Sequence, residues 1–300
     1  MALLARGILR LEINTSMAFS TTSPDNFVLT PEQIGEPLLA MLVQDSVAVG
    51  VTTNVRTSSI SYRVPVVAGD PTASWLDELE EIGLSDPTVG EAEVTPSKLG
   101  VITKISRELV DDSDGVAVNL VAAGVSRELS RKIDQAFFTP TPIAKAPEGL
   151  HSIPEPVIQV VEAQTFANLD PFEEAIMRSE QVGGRITSFV ANPSTALELA
   201  TLKESSGSNR SLLQPDPTQP TRKTISGVPL VTSPYVEEGT VWAIPGASVM
   251  TVVRTPFELA TSEDVYFTQY AIAIRATARV GFLFPHAAAI VRIGPAVQSS

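Results

Sequence analysis

The chain has 300 residues, 43% of them hydrophobic and 6% aromatic, which is enough apolar material for one large core or two smaller ones. Its formal charge of -13 argues against clamping a nucleic-acid backbone, a task that needs clustered Lys and Arg. With no cysteine, a disulfide framework, a thiolate nucleophile and a Cys-ligated zinc are all excluded.

Residues 1–16, MALLARGILRLEINTS, interrupt an apolar run with Arg6 and Arg10, so they match neither a signal peptide nor a membrane span. Met17 is a second candidate start, and intracellular synthesis is the expectation. Residues 17–30 are polar and aperiodic and read as an extended arm that needs another surface to become ordered. A short docking helix is expected over 31–44, with Thr30 as cap, Pro31 at the first position and Ile34, Leu38, Leu39 and Leu42 at helical spacing.

From Ser59 the period becomes two, with Ile60, Tyr62, Val64 and Val66 on one face. The alternation of Leu99, Val101, Thr103 and Ile105 about thirty residues later predicts the returning strand of a long hairpin. Between them, residues 68–92 carry seven acidic residues and no Lys or Arg, so the hairpin has an acidic tip. An isolated two-stranded ribbon is marginal in water and its edges invite association. Trp75, Leu76, Leu79, Ile82 and Leu84 add apolar area that a free loop would expose, so the tip is expected to lie on a partner.

The strand 98–105 then runs with no Gly or Pro turn into four candidate capping positions, Asp111–Asp114. Behind them Val118, Val121, Ala122, Val125, Leu129, Ile133, Ala136 and Phe137 form a sustained apolar stripe. Asn119, Arg127, Glu128, Ser130, Arg131, Lys132 and Asp134 are assigned to the opposite, polar side. About 24 residues at ~1.5 Å each predict a rod of roughly 36 Å.

Five prolines between Pro140 and Pro156 mark a domain boundary. Beyond it strands at 157–161 and 185–191 alternate with helices starting at Asp170-Pro171 and Asn192-Pro193, an α/β or α+β pattern. Residues 203–223 read as an exposed polar loop, and strands resume at GVPLVTS and TVWAI. The closing segment 265–293 is the clearest sheet, with Tyr266, Tyr270, Ile272, Ile274, Ala276, Ala278 and Val280 on one face and Gln269, Arg275, Thr277 and Arg279 on the other. It is expected to floor the rod.

The sequence carries no recognisable catalytic constellation. His151 and His286 lack the spacing of a metal site, and no GxSxG, GxGxxG or GxxxxGK[ST] occurs. The pairs Asp77-Glu78 and Glu80-Glu81 have nothing nearby to fix their geometry, and they read as solvated or interface carboxylates. No catalytic residue, cofactor or metal is expected.

The stretches KLGVITKISRELVDDS (98–113), ANPSTALELATLK (191–203), TISGVPLVTS (224–233) and QYAIAIRATARVGF (269–282), in that order, resemble the major capsid proteins of tailed phages with the HK97 fold over roughly residues 31–293. The resemblance implies an α+β capsid fold. It places the N-terminal arm with its short helix at 1–58, the E-loop hairpin at 59–104, and the A-domain at 140–262. The P-domain, a long spine helix plus antiparallel sheet, falls at 105–139 and 263–300. It further implies self-assembly into hexamers and pentamers of an icosahedral head in the host cytoplasm. The head would enclose double-stranded DNA without binding it specifically and without contact with a membrane. A scaffolding protein or maturation protease, a portal and a decoration protein are the other implied partners.

In such shells the hairpin pivots as the particle expands, and the direct strand-to-helix junction would place that pivot at the edge of the rod. The isopeptide crosslink of some members is not expected, because no lysine lies between Arg63 and Lys98 and the last asparagine is Asn209. Only about 30 residues precede the first helix, so scaffolding is a separate protein or this is the mature chain. The acidic tip is expected to meet a basic strip on a neighbour. Candidate interface residues are Arg63, Trp75, Asp77, Glu78, Glu80 and Glu81 on the hairpin, and Arg127, Arg131, Lys132, Arg275 and Arg279 on the receiving side. An encapsulin-type compartment shell and a Ser/His hydrolase are the alternatives, and a pilus, tail or adhesin protein is disfavoured by the rod.

Overall fold

The computed structural model describes residues 45–69, 73, 75, 83–84, 88–112, 116–155, 157–205, 208–215 and 223–295. The arm at 17–30 and the helix expected over 31–44 lie outside them. The first elements are a short helix α1 (Val47–Val51), then β1 (Thr53–Thr57), β2 (Tyr62–Gly69), β3 (Thr88–Val94) and β4 (Ser97–Ser106). A six-residue helix α2 (Arg107–Asp112) and the rod α3 (Val116–Phe138) follow. After the proline-rich boundary come β5 (Gln159–Glu162), α4 (Asp170–Gln181), β6 (Ser188–Ala191), α5 (Pro193–Thr201), β7 (Gln214–Pro215), β8 (Lys223–Ile225), β9 (Val228–Thr232) and β10 (Val241–Ile244). The chain closes with β11 (Met250–Tyr266), β12 (Ala271–Leu283) and β13 (Val291–Gly294).

The rod stripe folds as the sequence predicts, because Val125, Leu129, Ile133, Ala136 and Phe137 all fall on one side and are buried. They pack on Ala276, Ala278, Val280 and Phe282 of β12, with Leu99 and Val101 of β4 alongside. Phe137 is fully buried and meets Phe138 and Phe282 edge-on, each with ring centroids 4.8 Å apart. Gly149 lets the chain return under the end of the rod, since a Cβ there would stand 2.2 Å from the Ala136 carbonyl oxygen. Two residues assigned to the rod's polar side, Ser130 and Asp134, are buried instead. The Ser130 hydroxyl donates to the Ser126 carbonyl, which satisfies it within the helix.

The sheet under the rod has four strands in the order β1-β11-β12-β4, with β1 parallel to β11 and the remaining pairs antiparallel. This changes the expected hairpin. The strand that returns on β2 is β3, with Arg63 opposite Glu93 and Val64 opposite Ala92, whereas 97–106 pairs with β12 from Ser97↔Val280 to Ser106↔Ala271. The alternation of β4 is real, but it serves the sheet, whose rod side claims Leu99, Val101 and Ile105. Tyr266 and Tyr270 also leave their expected face, because the chain reverses at Phe267–Gln269 and Tyr270 takes a left-handed conformation (φ 47°).

A second sheet of seven strands runs β5-β13-β10-β6-β9-β8-β7. Its core holds Phe172, Phe189, Leu199, Ile225 and Ile293. Asn192 caps α5 by accepting from the Ser194 N–H at 3.0 Å, as the Asn-Pro signal predicts. The loop expected over 203–223 contains β7, which pairs with β8. Two boundaries shift: β11 joins the four-stranded sheet from Met250, ahead of the expected 263, and β13 lies between β5 and β10 in the seven-stranded sheet.

Phe137→Ala removes the ring that joins rod to sheet and should cost about 3–5 kcal/mol of folding stability. Urea unfolding of the unassembled subunit checks it, with Phe137→Leu expected to lose distinctly less.

Candidate assembly surface

The β2–β3 ribbon pairs with no other strand among the described residues, so both its edges are open. Its base is seated on β12, where Gly281 leaves room for Val94: a Cβ on Gly281 would come within 2.7 Å of the Val94 side chain. Arg63 binds Glu93 at 3.1 Å and lies 3.8 Å from Glu91. The Ser61 side chain, then Arg63, hold the Glu93 carboxyl below its ordinary range. Arg63 is thus engaged inside its own hairpin. Of the tip, Trp75 and Leu84 stand almost wholly in solvent, while Asp77, Glu78, Glu80 and Glu81 lie outside the described residues.

The five cations expected to form one receiving strip fall on two opposite sides. Arg127, Arg131 and Lys132 are exposed on the rod. Arg131 is 4.0 Å from Glu128, and Lys132 Nζ donates to Gln135 at 3.1 Å. Arg275 and Arg279 alternate with the residues that face the rod, so they occupy the far side of the sheet. There Arg279 stands between Arg254 and Lys98 in register.

Two further lysines escape a reading of the sequence. Lys145, in the proline-rich boundary with a left-handed φ of 67°, joins Lys132 at an open groove of about 210 Å3, and Lys98 borders it from the edge strand β4, although alternation with Leu99 turns its side chain toward the far side of the sheet. Leu99, Ile133, Ala136, Ile143 and Val280 supply its apolar lining. No spacing rule links residues 98, 132 and 145; only the packing of rod on sheet does.

The junction between strand and helix is braced from the hairpin turn opposite. Arg107 N–H donates to the Tyr270 carbonyl at 3.1 Å, its guanidinium bonds Glu263 at 2.7 Å, and it lies over the Tyr270 ring. At the other end of the rod, Asp134 accepts from Ser46 Oγ at 2.7 Å, Ala48 N at 2.9 Å and Val47 N at 3.1 Å. A rod carboxylate therefore holds the start of α1. Burial raises the Asp134 pKa, and the bonds from Ala48, Ser46 and Val47 oppose that shift without cancelling it.

The histidines are not brought into a catalytic arrangement. His286 Nε2 is 2.9 Å from the Val182 carbonyl oxygen, and His151 sits in a 3-10 turn with no partner at its buried Nδ1. Among the described residues, no group of three or more His, Asp and Glu could hold a metal, and no helix is long and apolar enough to cross a membrane.

A family model described as the phage capsid family matches residues 26–294. No curated protein matches the sequence. Among solved structures, a capsid chain of an empty GTA particle is 19% identical, with a TM-score of 0.68 over 83% of this chain and 89% of that one. A chain of Mycobacterium phage Bobi is 18% identical with a TM-score of 0.65, covering 84% and 91%. One of Gordonia phage Cozz is 18% identical with a TM-score of 0.62, covering 85% and 87%. At such identities the likeness speaks for the fold.

Because the folded state holds a proton on Asp134 more tightly than the unfolded chain does, stability should rise as pH falls from neutrality toward the ordinary carboxylate range. Relative to Asp134→Asn, the natural chain should gain stability as pH falls from neutrality toward the ordinary carboxylate range, as read from urea midpoints. Asp134→Ala strands three donors, two of them buried, and should cost about 2 kcal/mol or more.

Proposed function

The chain belongs to the phage capsid family and is a major capsid protein of a phage head; from this premise we propose that its copies form the hexamers and pentamers of an icosahedral shell around double-stranded DNA. The observation that carries the proposal is the unsupported ribbon. Among the described residues both edges of β2–β3 are open and Trp75 is exposed, on a body whose rod and sheet are packed. Identical neighbours complete such a ribbon, and repetition around closed symmetry turns contacts of ~0.2–1 kcal/mol per exposed ion pair into a stable shell.

The role is structural, not catalytic. DNA is enclosed without sequence readout, in keeping with the net charge of -13. Assembly takes place in the host cytoplasm with a scaffolding protein or maturation protease, a portal and a decoration protein as partners. The carboxylates Asp77, Glu78, Glu80 and Glu81, with Trp75, meet cations of a neighbour, drawn from Arg127, Arg131, Lys132, Arg275 and Arg279.

Electron micrographs and light scattering of the purified chain should show closed particles of uniform size. A stable monomer at working concentration would overturn the shell. Glu78→Lys/Glu80→Lys/Glu81→Lys should lower particle yield and alter its salt dependence. Unchanged assembly would remove these carboxylates from the interface.

A further inference from the structure

We propose that Arg254, Arg279 and Lys98, side by side on the far face of the four-stranded sheet, form a binding site for a phosphate oxyanion. The register sets the row: Arg254 of β11 is opposite Arg279 of β12, and Arg279 is opposite Lys98 of β4. Neighbouring strands lie about 4.8 Å apart, so the three positions fall within about 10 Å. Like charges directly opposite one another in a sheet repel and destabilise it. A fold that keeps three of them in line carries a standing repulsion, which one bound anion would relieve.

Among the described residues no carboxylate lies within ion-pair distance of any of the three, and Glu91 and Glu93 of the ribbon are engaged by Arg63. The Nε of Arg254 is buried and has no hydrogen-bond partner among them. One acidic residue, Glu258, occupies the next row, opposite Thr277. Three cations less one carboxylate still leave a net charge of +2. The register of β11 slips just beyond Arg254, and such a bulge re-aims the side chain beside it.

The surroundings suit a small, multiply charged ligand. Arg254 and Arg279 are half-buried and Lys98 is exposed, so the row opens to solvent at its β4 end. The adjoining pair on one side is Val252↔Gly281, where a Cβ on Gly281 would stand 2.7 Å from the Val94 side chain and 3.3 Å from Pro96 Cα. The ribbon base is therefore an apolar wall, and a low local dielectric strengthens the attraction for an anion. On the other side Gly100, opposite Thr277, leaves the approach clear. Two guanidinium forks and an ammonium match the oxygens of a phosphate, whereas one carboxylate would leave a cation unmatched. Free phosphate and the backbone phosphates of a nucleic acid share this chemistry. Only the second source rests on the shell reading, in which duplex DNA lies inside. Because the chain as a whole carries -13, a backbone contact would be confined to the row and blind to base sequence. Arg127, Arg131, Lys132 and Arg275 remain for interfaces between copies.

The test uses the dilute full-length chain before assembly. At constant ionic strength, exchanging chloride for inorganic phosphate should raise the thermal midpoint by about 2–4 °C. Arg279→Gln and Lys98→Gln should each abolish the rise, while Arg275→Gln, on the same face but outside the row, keeps it. Without phosphate, both row variants should melt at or above the natural chain, since each removes a repulsion. A short labelled duplex supplies the second arm. Binding at low salt that falls about tenfold in both row variants makes backbone phosphate the source, and a thermal response without duplex binding makes it free phosphate. The site is overturned by no rise in the natural chain, by an equal rise in both row variants, or by a lower midpoint of both variants without phosphate. Lost particle yield in those variants with an unchanged phosphate response also overturns it, in favour of a carboxylate from another copy. Failure of the natural chain to form particles overturns the shell reading and leaves the phosphate response as it was.

Discussion

One apolar seam organises the subunit. Valine, leucine, isoleucine and phenylalanine along α3 bury themselves against alanines and Val280 of β12, and small residues on the sheet let the helix approach closely. That single contact orients the four strands, sets the ends of the rod where α1 and the Leu150 turn dock, and leaves the solvent side of the helix free. Burial of this kind is worth about 25 cal/mol per Å2, and the exposed ion pairs among the described residues each contribute only about 0–1 kcal/mol.

Electrostatics plays the complementary part and works locally. Arg63 ties two glutamates across one ribbon, Arg107 braces a junction, and Asp134 takes three donors from a single stretch of chain. The last is an uncommon arrangement, because a buried carboxylate usually faces a cation, whereas here, among the described residues, it accepts from Ser46 and the first N–H groups of α1. The start of α1 is thereby fixed to the rod rather than to the sheet that the chain joins at β1, just past the end of the helix.

The sequence makes the rod legible because a stripe from Val118 to Phe137 has only one way to be satisfied. The Asn-Pro and Asp-Pro helix starts are equally local and hold. Strand pairing is not local: alternation at Leu99, Val101 and Ile105 announces a strand with one buried face, but says nothing of whether its neighbour is β2 or β12. Asp134 looks like one more charge on a polar face, since a capping role for another helix 86 residues away leaves no periodic trace. The groove is hidden for the same reason, its three lysines belonging to a strand, a helix and a loop.

The ribbon's two attachments are unequal. Ser58–Ser61 separates it from β1, whereas only Thr95 and Pro96 separate it from β4, and Pro96 is buried. With β4 locked along β12 and Arg107 pinned behind it, the rod cannot supply the swivel. Re-aiming the ribbon must instead turn on one short stiff strut and one longer slack one, which confines it to an arc about Thr95 and converts a neighbour's push into rotation rather than sliding.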